Sequence, residues 1–147
     1  LKQDAVEAAR SQLLPCTYLL TPNIPEAEAL TGKEIKTLEE MEAASKELQA
    51  MGARHILLKG GHRDGDAIDV LLAGASITRL AAERIDTANT HGTGCSLSSA
   101  IASNLAKGMV LADAVSTAKR WLTGAIAASG RLNVGKGHGP VNLFAPC

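Results

Sequence analysis

Asn89-Thr90-His91-Gly92-Thr93-Gly94-Cys95 runs straight into a small-residue segment over 96–107, and the joint between the two decides how the chain is read. A glycine-rich turn that opens a helix leaves its first N–H groups unpaired, with the positive end of the helix dipole behind them. That is an anion cradle. Cys95 falls in the first helical turn, where a thiolate is stabilised. Two readings stay open at this point. In one, Gly92, Thr93 and Gly94 donate to a transferring phosphoryl group and Cys95 is a base or nucleophile. In the other, the motif is a tight strand-to-helix turn with an inert buried thiol.

Working outward, the segment after the turn reads as two long helices, about 94–107 and 111–129. The second repeats Leu111, Val115, Ala118, Leu122, Ala125 and Ser129 in steps of four and three, a core-facing stripe. Trp121 falls one step off that stripe and reads as packing. Before the turn, residues 67–73 and 76–82 read as two strands of a hairpin joined at Gly74-Ala75. His55-Ile56-Leu57-Leu58-Lys59 is a continuous apolar run, as for a strand buried on both faces, and 60–65 reads as a loop. Thr37 and Glu40 form a capping box for a helix over about 38–51, with Leu38, Met41, Ala44, Leu48 and Met51 inward and Gly52 at its C′ position.

Closer to the start, Pro25 and Leu30 bracket a brief helix that Gly32 closes, and Thr17-Tyr18-Leu19-Leu20-Thr21 is a β-prone run stopped by Pro22. Residues 2–13 place Ala5, Val6, Ala9 and Leu13 at helical spacing, ended by Pro15. The glycine-rich tail over 134–140 is expected to be a loop ending in a short strand. The order helix, strand, helix, strand, hairpin, helix, helix predicts an α/β domain with a partly parallel sheet. Ligands gather at the carboxyl ends of strands in such sheets. Asn23, Lys59-Gly60-Gly61 and the glycine turn each follow a predicted strand, so they are expected at one rim.

The 147 residues suit about one domain. Hydrophobic residues make up 46% and aromatics only 2%, so the core is built from Ala, Leu, Ile and Val. Fifteen basic residues balance fifteen acidic ones with no basic block. That argues against nucleic acid or an anionic membrane as the main partner. No apolar run has transmembrane length and no signal peptide is legible, although the chain starts at Leu1 inside a predicted helix. Cys16, Cys95 and Cys147 form neither a disulfide framework nor a zinc pattern, so a cytoplasmic setting is expected.

Three further residues carry two readings each. Asn23 as N-cap with Glu26 at N3 is an ordinary helix start; Glu26 also suits a water-coordinated Mg²⁺, which takes few carboxylates. Lys59 ends an apolar strand either as a snorkelling terminal residue or as a point charge on nucleotide phosphate. His62, His91 and His138 lack ligand spacing, and neither Gly-x-x-x-x-Gly-Lys-Ser/Thr nor Gly-x-Gly-x-x-Gly occurs.

Together the segments resemble the ribokinase-like superfamily and, within it, the hydroxymethylpyrimidine/phosphomethylpyrimidine kinases of thiamine biosynthesis. The resemblance lies in Thr21-Pro22-Asn23-Ile24-Pro25-Glu26-Ala27, Leu58-Lys59-Gly60-Gly61-His62, Asp69-Val70-Leu71, the glycine turn, and Val134-Gly135-Lys136-Gly137-His138-Gly139-Pro140, in family order. It implies a Rossmann-like three-layer αβα fold and ATP- and Mg²⁺-dependent phosphorylation of 4-amino-5-hydroxymethyl-2-methylpyrimidine, then of its monophosphate. It implies Cys95 as catalytic base where most of the superfamily has Asp, and Gly92, Thr93 and Gly94 as anion hole. It implies Asn23 and Glu26 as the Mg²⁺–phosphate motif, Lys59 as a nucleotide contact, and Val134 and Gly137 in a loop bordering the adenine pocket. Ser96 stands where relatives often have Thr, and Leu143 where a His is common.

The resemblance starts partway into the family domain. Residues 1–147 are therefore expected to be a single partial domain, its C-terminal, nucleotide-side portion, lacking the first strands and the pyrimidine contacts. A sheet edge left without partners invites a homo-oligomer or association with the missing portion. A cysteine-type pyridoxal kinase shares the motif set, and a truncated non-catalytic remnant or interaction module is the alternative from another class.

Overall fold

The computed structural model describes residues 3–60, 67–82, 85, 87, 89–131 and 139–144. The chain divides into two compact units, Leu1–Glu83 and Arg84–Cys147.

The first unit holds a four-stranded sheet in sequence order: β1 (Leu19–Leu20), β2 (His55–Leu58), β3 (Ala67–Ala73) and β4 (Ser76–Ala82). β1 runs parallel to β2, whereas β2–β3 and β3–β4 are antiparallel. The parallel step is a crossover through α2 (Ile24–Thr31) and α3 (Leu38–Ala50), as parallel neighbours require. Ile56 and Leu58 lie beside Leu72 and Val70 and share one core cluster with Ala27 and Leu30 of α2 and Met41, Ala44 and Leu48 of α3. Leu57 and Leu71, partners on the opposite face, are also buried. The apolar run of β2 is thus covered on both sides, as its composition predicts.

Both helices start and stop as their sequences dictate. Thr37 accepts from the Glu40 N–H, and the Glu40 carboxylate accepts from the Thr37 N–H at 2.8 Å. Gly32 closes α2 at φ 72°, a left-handed value that glycine adopts without penalty. The hairpin turns at Gly74-Ala75, with Gly74 at φ 63°.

Two expectations are corrected. The helix expected over 2–13 is α1 (Gln3–Ala8) followed by a π-helical stretch, Ala9–Leu13, and a 3₁₀ turn, Leu14–Cys16. The Leu14 N–H bonds to the Ala9 carbonyl, an i→i+5 step that adds a residue to the turn and advances the inward face by one position. Leu14 is therefore buried while Leu13 is 58% exposed, and Ala5 also faces out. The expected strand around Tyr18 shrinks to Leu19–Leu20, bounded by the 3₁₀ turn and Pro22.

In the second unit α4 (Thr93–Ala106) packs on α5 (Leu111–Ala127), which ends in a 3₁₀ turn, Ala128–Arg131. All six stripe residues, five on α5 from Leu111 to Ala125 and Ser129 in the 3₁₀ turn, are buried, and α4 contributes Leu97 and Ile101. Gly108, at φ 87°, turns the chain between the helices, where the Asn104 side-chain amide donates to the Ala114 carbonyl at 3.1 Å. The short strand expected in the tail is an isolated bridge between Pro140 and His91. Residues 61–66, with His62, and 132–138, with Val134, Gly137 and His138, lie outside the described residues, as does Cys147.

Candidate functional site

In the first unit, Asn23 and Lys59 meet. They form a parallel bridge just past the ends of β1 and β2, and the Lys59 N–H donates to the Pro22 carbonyl at 2.8 Å. The pair thus sits at the carboxyl edge of two parallel strands, the usual ligand side of an α/β sheet. Asn23 is also the N-cap of α2. Its Oδ1 accepts from the Glu26 N–H, and Glu26 Oε2 accepts from the Asn23 N–H, both at 2.8 Å. The capping arrangement is complete, and it occupies one Glu26 oxygen while leaving the carboxylate exposed beside the positive end of α2. The Lys59 ammonium has no ion-pair partner among the described residues.

Next to Lys59 in the chain, the Gly60 N–H donates to Asp69 Oδ1 at 2.9 Å. Asp69 is a buried carboxylate on β3. A Cβ at Gly60 would overlap the Ile68 carbonyl oxygen, so only glycine fits there. Sequence reasoning marks Asp69-Val70-Leu71 as a matching segment but assigns Asp69 no task. The signal is a carboxylate within an apolar strand, which burial makes costly unless it is hydrogen-bonded.

In the second unit, Gly92 caps α4 in a left-handed conformation, φ 82° and ψ 1°, without a side-chain cap. Thr93, Gly94 and Cys95 fill the first turn, whose N–H groups have no acceptor within the helix. The Thr93 N–H reaches the Thr90 carbonyl only at 3.4 Å, and Ser96 is the first to bond back, to Gly92 at 2.9 Å. Cys95 is exposed and unpaired with another cysteine. The first turn therefore offers N–H donors beside an accessible thiol, and the inert buried thiol is not what the structure holds.

The approach to the turn is held by polar side chains. Asn89 Nδ2 donates to the Ser129 carbonyl at 2.9 Å, the Asn89 N–H donates to Thr87 Oγ1 at 3.1 Å, and the Thr87 and Ser129 hydroxyls lie 3.2 Å apart. Sequence reasoning treats Ser129 only as the last residue of a core stripe. No group of three or more metal-ligating side chains occurs among the described residues, and none of their helices is long and apolar enough to cross a membrane.

The phosphomethylpyrimidine kinase family model matches residues 1–142. The thiamine biosynthesis bifunctional protein ThiED of Geobacter sulfurreducens is 49% identical over 143 residues, covering 97% of this chain and 29% of that protein. The hydroxymethylpyrimidine/phosphomethylpyrimidine kinase of Rhizobium meliloti is 47% identical over 146 residues, covering 98% of this chain and 55% of that one. Among solved structures, an ADP complex of Bacillus subtilis pyridoxal kinase matches with a TM-score of 0.92 at 36% identity, over 99% of this chain and 57% of the other. The phosphomethylpyrimidine kinase of Clostridium difficile matches with a TM-score of 0.73 at 39% identity, over 86% and 50%. The chain thus spans about half the length of the Rhizobium and Clostridium kinases. Its sequence and its ribokinase-like α/β fold place it, as a member, in the phosphomethylpyrimidine kinase family.

Proposed function

We propose that the chain carries the ATP- and anion-binding part of a kinase that phosphorylates hydroxymethylpyrimidine and then its monophosphate in thiamine biosynthesis. Both units are taken as portions of one ribokinase-like domain, its C-terminal, nucleotide-side part. The observation that carries the reading is the start of α4: a left-handed glycine cap, a first turn of N–H donors and an exposed thiol, in a chain whose relatives are kinases. Gly92, Thr93 and Gly94 are assigned to the anion hole. Phosphoryl transfer depends on positioning and charge neutralisation more than on covalent chemistry. Cys95 is assigned as base: its sulfur takes the hydroxyl proton as the substrate oxygen bonds to the γ-phosphorus and the bond to the ADP oxygen breaks.

In the first unit, Lys59 supplies positive charge to the nucleotide phosphates, with Asn23 beside it. Glu26 fits a hydrated Mg²⁺, because one carboxylate oxygen remains beyond the capping bond and Mg²⁺ keeps most of its waters. The ion would neutralise phosphate charge. Val134 and Gly137 are assigned to the border of the adenine pocket.

The test is calorimetry of the chain with Mg·ATP, together with phosphorylation of the hydroxymethylpyrimidine by the chain joined to a relative's N-terminal portion. Cys95→Ala is expected to keep Mg·ATP binding and to lose about 10²–10⁴-fold in turnover, the usual range for a general base. Equal turnover in both would remove Cys95 from the mechanism. A folded chain that binds no Mg·ATP would favour a non-catalytic remnant or an interaction module.

A second reading, a cysteine-type pyridoxal kinase, is favoured by the higher TM-score to the Bacillus pyridoxal kinase, 0.92 against 0.73. Competition between pyridoxal and the hydroxymethylpyrimidine as acceptors separates the two.

A further inference from the structure

We infer that Asn89 is the positioning residue of the glycine turn, acting through a clamp made with Thr87, Ser129 and Gly139. Its side chain is hydrogen-bonded at one end and closely packed at the other. The Nδ2 group donates to the Ser129 carbonyl at 2.9 Å, and Oδ1 lies so close to Gly139 that a Cβ there would overlap it. The main chain of Asn89 is held as well, its N–H donating to Thr87 Oγ1 at 3.1 Å. That hydroxyl lies 3.2 Å from the hydroxyl of Ser129, which is fully buried.

Three stretches distant in sequence therefore converge on one amide: the approach to the turn, the 3₁₀ turn after α5, and the segment at Gly139. Two residues on, the His91 N–H donates to the Gly139 carbonyl at 3.2 Å, and His91 bridges Pro140. The Asn142 N–H then donates to the Ala125 carbonyl of α5 at 3.1 Å. The left-handed Gly92 follows directly on this fixed segment. Glycine has little preference of its own for one backbone conformation, and Gly92 has no side-chain cap. The segment entering the turn thus helps to set the first N–H groups of α4, alongside the packing of α4 on α5, and Asn89, with Thr87, ties that segment to the 3₁₀ turn that follows α5.

The chemistry requires an amide side chain. Aspartate would keep Oδ1 toward Gly139 but set a carboxylate oxygen against the Ser129 carbonyl, replacing donation by repulsion. Any larger residue at 139 would displace Asn89. A fixed cradle binds phosphate better than a mobile one because less ordering remains to be done on binding. This consequence for phosphate rests on the function proposed above; the placement of the turn does not.

The experiment is residue-resolved amide hydrogen exchange on the ligand-free 147-residue chain, with Mg·ADP titration of the same proteins. Asn89→Ala and Gly139→Ala are each expected to speed exchange at His91 and Ser96 by about tenfold or more, while Ala118 and Leu122 within α5 keep wild-type rates. A general loss of stability would move all four. The double variant is expected to exchange no faster than either single one, because both remove the same clamp. Affinity for Mg·ADP falls along with the loss of protection. Asn89→Asp repeats the measurement with the size of the side chain preserved, should the alanine variant fail to fold. Wild-type exchange at His91 and Ser96 in Asn89→Asp, or acceleration spread equally to Ala118 and Leu122, overturns the inference. If the turn loosens as expected but wild type binds no Mg·ADP, the clamp stands and the phosphate role of the turn falls.

Discussion

Gly60 and Asp69 show how a single residue pair shapes the rim beside Lys59. Burial leaves the Gly60 N–H dependent on Asp69 Oδ1, and an unsatisfied buried donor costs about 1–3 kcal/mol. Asp69→Ala is therefore expected to lower stability by about that amount, and Asp69→Asn by less, since an acceptor oxygen remains. Gly60→Ala forces a Cβ into the Ile68 carbonyl, an overpacking cost of about 1–3 kcal/mol. Urea unfolding followed by far-ultraviolet ellipticity measures all three, and an Asp69→Ala chain as stable as wild type refutes the assignment. His55 gives a pH-dependent counterpart. Its Nδ1 accepts from the Gly74 N–H at 3.1 Å, its ring stands edge-on to Tyr18, and burial, aided by the Arg54 charge, lowers its pKa from 6.5. The unfolded chain then takes the proton more readily. This contribution to stability is complete above about pH 6.5 and is lost as pH falls toward the lower folded value. Thermal midpoints from pH 7.5 down to 5.5 are expected to fall more for wild type than for His55→Gln; equal slopes would show that other groups govern the loss.

At the scale of elements, the parts legible in the sequence are those whose stabilisation is local or periodic. The Thr37–Glu40 box, the Gly74-Ala75 turn and the α5 stripe need only neighbours within a turn or two, and each appears as its residues predict. Thr37→Ala is accordingly expected to cost about 0.5–2 kcal/mol, the usual price of a lost N-cap, visible as a lower urea midpoint with an unchanged slope. A Thr37→Ser chain that lost as much would point to methyl packing instead of capping. The π-helical step at Ala9–Leu13 is not legible in the sequence, because contacts remote along the chain accompany it. Arg10 Nε donates to the Leu30 carbonyl at 2.7 Å, securing the end of α2, while Leu14 joins the core. The candidate site divides in the same way. The caps at Asn23 and Gly92 follow from adjacent residues, whereas the tie from Asn89 to Ser129 spans 40 positions and no spacing rule reaches it.

For the whole molecule, the decisive proportion is that the chain covers 55% of the Rhizobium kinase it resembles. Among the described residues β1 pairs only with β2 and is two residues long, so one side of a short strand offers unpaired backbone groups, and such an edge favours association. The residues assigned to phosphate lie within the chain; contacts to the pyrimidine are expected from the part of the relatives outside the match. Binding and turnover should therefore separate. The chain alone is expected to bind Mg·ATP without phosphorylating hydroxymethylpyrimidine, and fusion to the N-terminal portion of the Rhizobium relative is expected to restore turnover. That fusion should also raise the thermal midpoint of the chain, because a paired edge and a larger core stabilise together. Turnover by the chain alone at the rate of the fusion would show that the acceptor is held by residues 1–147 themselves. Binding lost in Lys59→Ala but kept in Cys95→Ala, with turnover of the fusion lost in both, would assign nucleotide affinity to Lys59 and proton removal to Cys95.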